Sequence, residues 1–224
     1  MAARPAPLVK VCCIASVDEA RLAVQGGAAA LGFVSQMPSG PGVIDDARIA
    51  EIVATVPPAV ATFLLTARVT ADAIAAQHEG CGTTTIQLVD AVAPDELIRL
   101  RRLRPGVTLV QVIHVTGAAS LDAACAVAPH VDALLLDSGN PMLAVKELGG
   151  TGRVHDWAVS RRIRNAVAIP VFLAGGLSAA NVVRAMAVVE PYGLDLCSGV
   201  RRDGRLDAAA LDAFMQKVRG ATPG

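Results

Sequence analysis

The chain has 224 residues, with 20 Lys and Arg against 20 Asp and Glu, so its formal net charge is zero. That balance excludes a basic footprint for nucleic acid and an acidic tail. At 53% hydrophobic and 18% charged the chain is no disordered segment, and with 3% aromatics its core falls to Ala, Val, Leu and Ile, as in alternating strands and helices. Its longest uncharged stretches, Leu22–Ile44 and Ala166–Val183, are interrupted by Gln25, Pro38, Pro41 and by Pro170, Gly175, Asn181, so no membrane span is expected. Met1–Leu8 lacks the apolar region of a signal peptide, and a cytoplasmic location is expected. Five cysteines, at 12, 13, 81, 125 and 197, form no C-x-x-C pair, which argues against a disulfide framework and a structural zinc site.

In chain order, an apolar run predicts a first strand over Leu8–Cys13, then a helix over Glu19–Gln25 started by Ser16 or Asp18. Ala30–Val34 is the second strand, and Asp45 precedes a helix over Ala47–Ala54. Val60–Leu65 leads through Thr70 to helix Ala71–His78, and Thr83–Leu88 to helix Pro94–Leu103, whose proline suits a first helical position. Thr108–His114 is followed by helix Ser120–Ala128, and Ala133–Leu136 by helix His155–Asn165. Val171–Ala174 precedes Ser178 and helix Ala179–Val189; Gly193–Leu196 precedes helix Asp207–Val218.

Eight alternations of about 28 residues fit a closed (β/α)8 TIM barrel spanning 1–224 as one domain, and also a doubly wound open sheet. The first turn, Cys13-Ile14-Ala15-Ser16, has no G-x-G-x-x-G, which makes a dinucleotide fold the poorer fit. Glycine-rich turns instead come late: Gly149-Gly150-Thr151-Gly152, Gly175-Gly176 and Ser198-Gly199, after strands six, seven and eight. In barrels the turns after strands seven and eight hold phosphate through bare backbone N–H groups, so the pattern points to a phosphate ester. The irregular stretches Ser35–Ile44 and Asp137–Arg153 follow strands and are expected as loops over that face.

Strand alternation sends Lys10 and Cys12 to one side of the first strand and Val11 and Cys13 to the other. A thiol at the mouth of a barrel can take a proton from carbon, although free cysteine is commonly a small buried hydrophobe. Asp137, ending the sixth strand, is placed either as a general acid or as a turn cap. His114 closes the fifth strand, for a ligand or for a loop carbonyl. No histidine spacing offers a metal site, and no cofactor is indicated.

Taken in order, Lys10-Val11-Cys12, Leu31-Gly32-Phe33-Val34, Gln87-Leu88, Leu135-Leu136-Asp137, Gly149–Gly152 with Asp156-Trp157, Leu173–Leu177 with Asn181-Val182, and Ser198-Gly199-Val200 resemble the phosphoribosylanthranilate isomerase family of tryptophan biosynthesis. The resemblance implies an Amadori rearrangement of an aminoaldose phosphate without cofactor or metal. It implies Cys12 as the base at sugar C2, Asp137 as the acid at the ring oxygen, and Gly150, Thr151, Gly152, Gly175, Gly176, Ser198 and Gly199 around the phosphate. The alternatives are a paralogue isomerising another phosphosugar, or a noncatalytic barrel binding a phosphorylated metabolite. The implied partner is a small phosphorylated sugar, for a monomer or homodimer.

Departures from the pattern concern the amine end. Where the family has a Ser-Pro-Arg-like loop, this chain reads Ser39-Gly40-Pro41-Gly42, with no Arg or Lys between Phe33 and Arg48. The family's glycine after the cysteine is Cys13, and its Leu-His-Gly is Leu88-Val89-Asp90. The loop after Asp137 looks longer and brings in Lys146 and Glu147. Either Lys146 or Arg153 supplies the missing cation for a carboxylate, with Lys10 and His114 as further substrate contacts, or the amine is not anthranilate.

Overall fold

Alternate residues of the strands face two different apolar layers, and this sorting closes the sheet. In the computed structural model, which describes residues 6–38, 40–140, 142–143, 146, 148 and 152–221, the strands are β1 Leu8–Val11, β2 Ala30–Val34, β3 Ala61–Thr66, β4 Thr85–Leu88, β5 Thr108–His114, β6 Ala133–Asp137, β7 Val171–Leu173 and β8 Gly193–Leu196. Each pairs in parallel with its neighbour, and β8 returns to β1 with Val11 opposite Leu196, making a closed eight-stranded barrel. One set of side chains, including Ala30, Phe63, Val110, Ala133, Leu135 and Phe172, fills the interior. The other set, including Val9, Leu31, Leu64, Ile86 and Leu134, packs outward against the helices.

The helices are α1 Val17–Gln25, α2 Asp46–Val53, α3 Ala71–Cys81, α4 Pro94–Leu103, α5 Ser120–Val127, α6 Trp157–Ala166, α7 Val182–Val189 and α8 Ala208–Gly220. Ser16, Asp45, Asp156 and Asp207 cap α1, α2, α6 and α8 through side-chain oxygens that accept from backbone N–H groups. Ile49, Ile52, Ile74, Leu97, Leu100 and Phe214 bring the inner helix faces to the outer layer. No described helix is long and apolar enough to cross a membrane.

Three differences from the sequence expectations have local causes. The first strand ends at Val11, because Cys13 turns into the left-handed region with φ +63°. Helix α7 starts at Val182 rather than Ala179: the Ser178 N–H donates to Asn181 Oδ1, which turns the segment before the helix instead of capping it. A short antiparallel hairpin, β9 Arg201–Arg202 and β10 Arg205–Leu206, stands between β8 and α8.

Candidate active site

The cleft at the C-terminal ends of the strands holds about 630 Å³ of empty space, part of it open to solvent, and Asp195, one partner of a buried charge pair, lines it. Lys10 points into the barrel, fully buried, with Nζ 2.9 Å from Asp195 Oδ1 of β8 and 5.1 Å from the centre of the Phe63 ring. Burial opposes the ammonium, but Asp195 and then Cys12 outweigh it and hold Lys10 up at about 12. Burial likewise pushes the Asp195 carboxyl up, against the pull of Lys10. Gly32 of β2 makes room for this arrangement: a Cβ there would lie 2.8 Å from Cys12 Sγ and 3.0 Å from Lys10 Nζ. Glycine at this point of β2 therefore lets the thiol and the ammonium share one side of the interior.

Cys12 and Asp137 both line the cleft, Cys12 just beyond β1 and Asp137 at the end of β6. Asp137 is 8% exposed and accepts a 2.7 Å hydrogen bond from the Ser138 N–H on Oδ1. Gln87 of β4 also lines the cleft, and its buried Oε1 has no hydrogen-bond partner among the described residues. A buried acceptor left open toward a cleft is suited to a ligand hydroxyl or N–H.

The rim beside Cys12 is held from outside. Arg201, in the hairpin, donates through Nη2 to the carbonyls of Cys12 (3.2 Å) and Cys13 (2.5 Å), and pairs through Nη1 with Glu19 at 2.8 Å. Burial would raise the Glu19 carboxyl, but Arg201 and the N–H groups of Leu206 and Ala15 bring it below its usual value. Cys13 also faces the cleft, its sulfur 2.8 Å from that of Cys197. Although alternation along the strand sends them to opposite sides, both thiols line one cleft, Cys12 beside Gly32 and Cys13 turned toward Cys197 after β8.

From Cys197 round the barrel, the turns after β8, β7 and β6 come into backbone contact. A Cβ on Gly176 (φ +61°) would lie 2.8 Å from the carbonyl oxygen of Gly152, and one on Gly199 would lie 2.0 Å from that of Leu177. Only glycine permits either approach. Gly152, Gly175, Gly176 and Ser198 line the cleft, with Gly199 directly behind Ser198. Gly150 and Thr151, also expected there, lie outside the described residues, as does Glu147.

The remaining expected contacts are distributed differently. His114 donates its Nε2–H to the Val89 carbonyl at 2.9 Å, the loop-directed alternative. Lys146 makes a 2.5 Å ion pair with Asp90, and the Arg153 carbonyl packs against Gly175 and Gly176. Among the described residues, neither these three nor Lys10 lines the cleft; the loop after β2 contributes Met37, Gly40 and Pro41, none of them charged. Asp195, Cys197, Gln87 and Arg201 were not singled out from the sequence as site residues. The first is the counter-charge that a lysine on the interior face of β1 requires.

The sequence profile described as N-(5'phosphoribosyl)anthranilate (PRA) isomerase matches residues 9–217. N-(5'-phosphoribosyl)anthranilate isomerase 2 of Methanosarcina mazei is 37% identical over 213 residues, covering 94% of this chain and 93% of its own length. The corresponding isomerase of Haloferax volcanii is 37% identical over 215 residues, covering 95% and 93%. Among solved structures, phosphoribosyl anthranilate isomerase from Thermus thermophilus superposes with a TM-score of 0.80 at 25% identity, covering 95% of this chain and 98% of that one.

Proposed function

Because the chain belongs to the N-(5'-phosphoribosyl)anthranilate isomerase family, we propose that it isomerises N-(5-phosphoribosyl)anthranilate, an aminoaldose phosphate, to the aminoketose phosphate, with Cys12 as base and Asp137 as acid. The observation that carries this reading is the placement of that thiol and that carboxyl on one cleft, one wall of which is a set of glycine turns in backbone contact. Asp137 gives its proton to the ring oxygen as the C1–O bond breaks, and the nitrogen lone pair forms the C1=N bond. The Cys12 sulfur takes the proton from C2, and the electrons of that C–H bond become the enolamine, which tautomerises to the ketone. One group must accept while the other donates, so the two must be in opposite protonation states when substrate arrives.

Lys10 places its positive charge beside the Cys12 sulfur, the atom that takes the proton in this reading. Gly152, Gly175, Gly176, Ser198 and Gly199 would receive the phosphate on backbone N–H groups, and the open Oε1 of Gln87 would accept from the sugar or the amine. The uncharged wall of Met37 and Pro41 suits the aromatic ring. The test is conversion of N-(5-phosphoribosyl)anthranilate by the purified protein, followed as appearance of the aminoketose phosphate. Turnover is expected; tight binding of the substrate without conversion would overturn the reading.

A further inference from the structure

Three of the five thiols stand at the mouth of the barrel, and the proposed isomerisation uses one of them. Cys13 and Cys197 are 184 positions apart in the chain, yet their sulfurs are 2.8 Å apart, about 0.8 Å beyond the length of an S–S bond. This approach is built by the surrounding backbone. Cys13 occupies a left-handed conformation, and its carbonyl is clamped by Arg201, which is itself pinned to Glu19. Cys197 follows β8, which is in register with β1, and the Cys12 N–H donates to the Leu196 carbonyl at 2.7 Å.

Cys197 is the more open of the two, Cys13 being 5% exposed. Cys13 and Cys197 line a second depression, walled by Pro41, Gly42, Arg201 and Gly204, on the outer side of the rim. Hydrogen bonding with Cys13, with Arg201 nearby, brings the Cys197 thiol below its usual value; hydrogen bonding with Cys12 and Cys197 pushes Cys13 up. The pair therefore sets two sulfurs at contact distance, with Cys197 the more readily ionised of the two.

We propose that Cys13 and Cys197 are an oxidisable dithiol: a peroxide joins them as a disulfide that ties the end of β1 to the turn after β8, and a dithiol reductant releases it. The Cys197 sulfur attacks one peroxide oxygen, the O–O bond breaks, and the departing hydroxide takes the proton that Cys197 gave up. The Cys13 sulfur then attacks the resulting sulfenic sulfur, the S–O bond breaks, and the second hydroxide leaves with the Cys13 proton. Two thiols are oxidised, one peroxide is reduced, and two waters form. Drawing the sulfurs together moves the turn carrying Ser198 and Gly199 relative to Cys12, and displacements of this size in a site lower turnover by about ten- to a hundredfold.

The experiment treats the reduced full-length protein with hydrogen peroxide and measures intact mass, free thiols and non-reduced peptide maps, with activity and Tm alongside. The thiol count should fall from five by one pair, with a mass loss of about 2 Da. The map should join the peptide holding positions 12 and 13 to that holding 197. This link should persist in Cys12→Ser and vanish in Cys197→Ser and Cys13→Gly. Tm should rise by roughly 5–10 °C, and kcat/KM should fall at least tenfold and recover with dithiothreitol. Retention of all five thiols, a link that survives Cys197→Ser, a link that is lost in Cys12→Ser, or uptake of oxygen without a link would overturn the proposal. If a variant does not fold, the wild-type map decides alone. Thiol pairing in a protein without isomerase activity would sink the isomerase reading and leave this one standing.

Discussion

Replacing Lys10 with methionine keeps most of the aliphatic stem inside the barrel and deletes the ammonium. Asp195 is then left 8% exposed with its counter-charge gone from 2.9 Å. At an effective dielectric constant of 20 the lost attraction is about 6 kcal/mol, and breaking one side of a buried pair typically costs about 3–5 kcal/mol. In a chain of this length that corresponds to a fall in Tm of roughly 6–20 °C. The pH dependence has a definite sign. Burial raises the Asp195 carboxyl in the folded state, and without Lys10 nothing pulls it back. A group raised on folding favours the folded state at low pH and loses that contribution as pH rises through its folded value. The deficit of Lys10→Met is therefore largest near pH 8 and shrinks toward pH 5. Urea denaturation at both pH values measures it, and Asp195→Asn added to Lys10→Met should restore at least half of the loss at pH 8. A deficit below about 1 kcal/mol at pH 8, the range of an exposed pair, or a deficit independent of pH, would refute the argument that this pair holds the barrel interior.

Gly199→Ala puts a Cβ 2.0 Å from the Leu177 carbonyl oxygen and forces the two turns apart; steady-state kinetics should show KM for the phosphorylated substrate raised about tenfold or more, with a smaller change in kcat. Gln87→Leu removes a buried acceptor that has no partner among the described residues, so denaturation should show stability unchanged or slightly higher while kcat/KM falls by about tenfold. Burial pushes the His78 imidazole below its usual value, so the proton binds the unfolded chain more readily. The stability that wild type holds over His78→Gln should be full above about pH 6.5 and diminish as pH falls below it; Tm measured from pH 7.5 to 5 gives the comparison.

Strand positions were legible wherever an apolar run met a clear boundary: β2, β5 and β8 coincide with their predicted spans. The end of β1 was not, because alternation continues through Cys12-Cys13 while the left-handed turn at Cys13 is imposed by contacts with Arg201 and Cys197. The hairpin after β8 has a readable sign in the sequence, the Asp-Gly pair at its turn. Asp203-Gly204 takes positive φ at both positions, +49° and +76°, as a two-residue hairpin turn requires. Parity put Lys10 and Cys12 on one face of β1 without saying which face is interior, and the partner Asp195 lies on the last strand, where local pattern does not connect them. The same holds for Cys13 with Cys197 and for Glu19 with Arg201, pairs made neighbours by closure of β8 onto β1.

Single substitution of the two reacting groups bears most directly on the account. Cys12→Ser and Asp137→Asn should each lower kcat on N-(5-phosphoribosyl)anthranilate by about 10²- to 10⁴-fold, while the affinity for an unreactive phosphorylated product analogue stays within a few fold of wild type. If either variant keeps its kcat within tenfold of wild type, or loses activity only through weaker binding, sulfur and carboxyl are not the base and acid of this barrel.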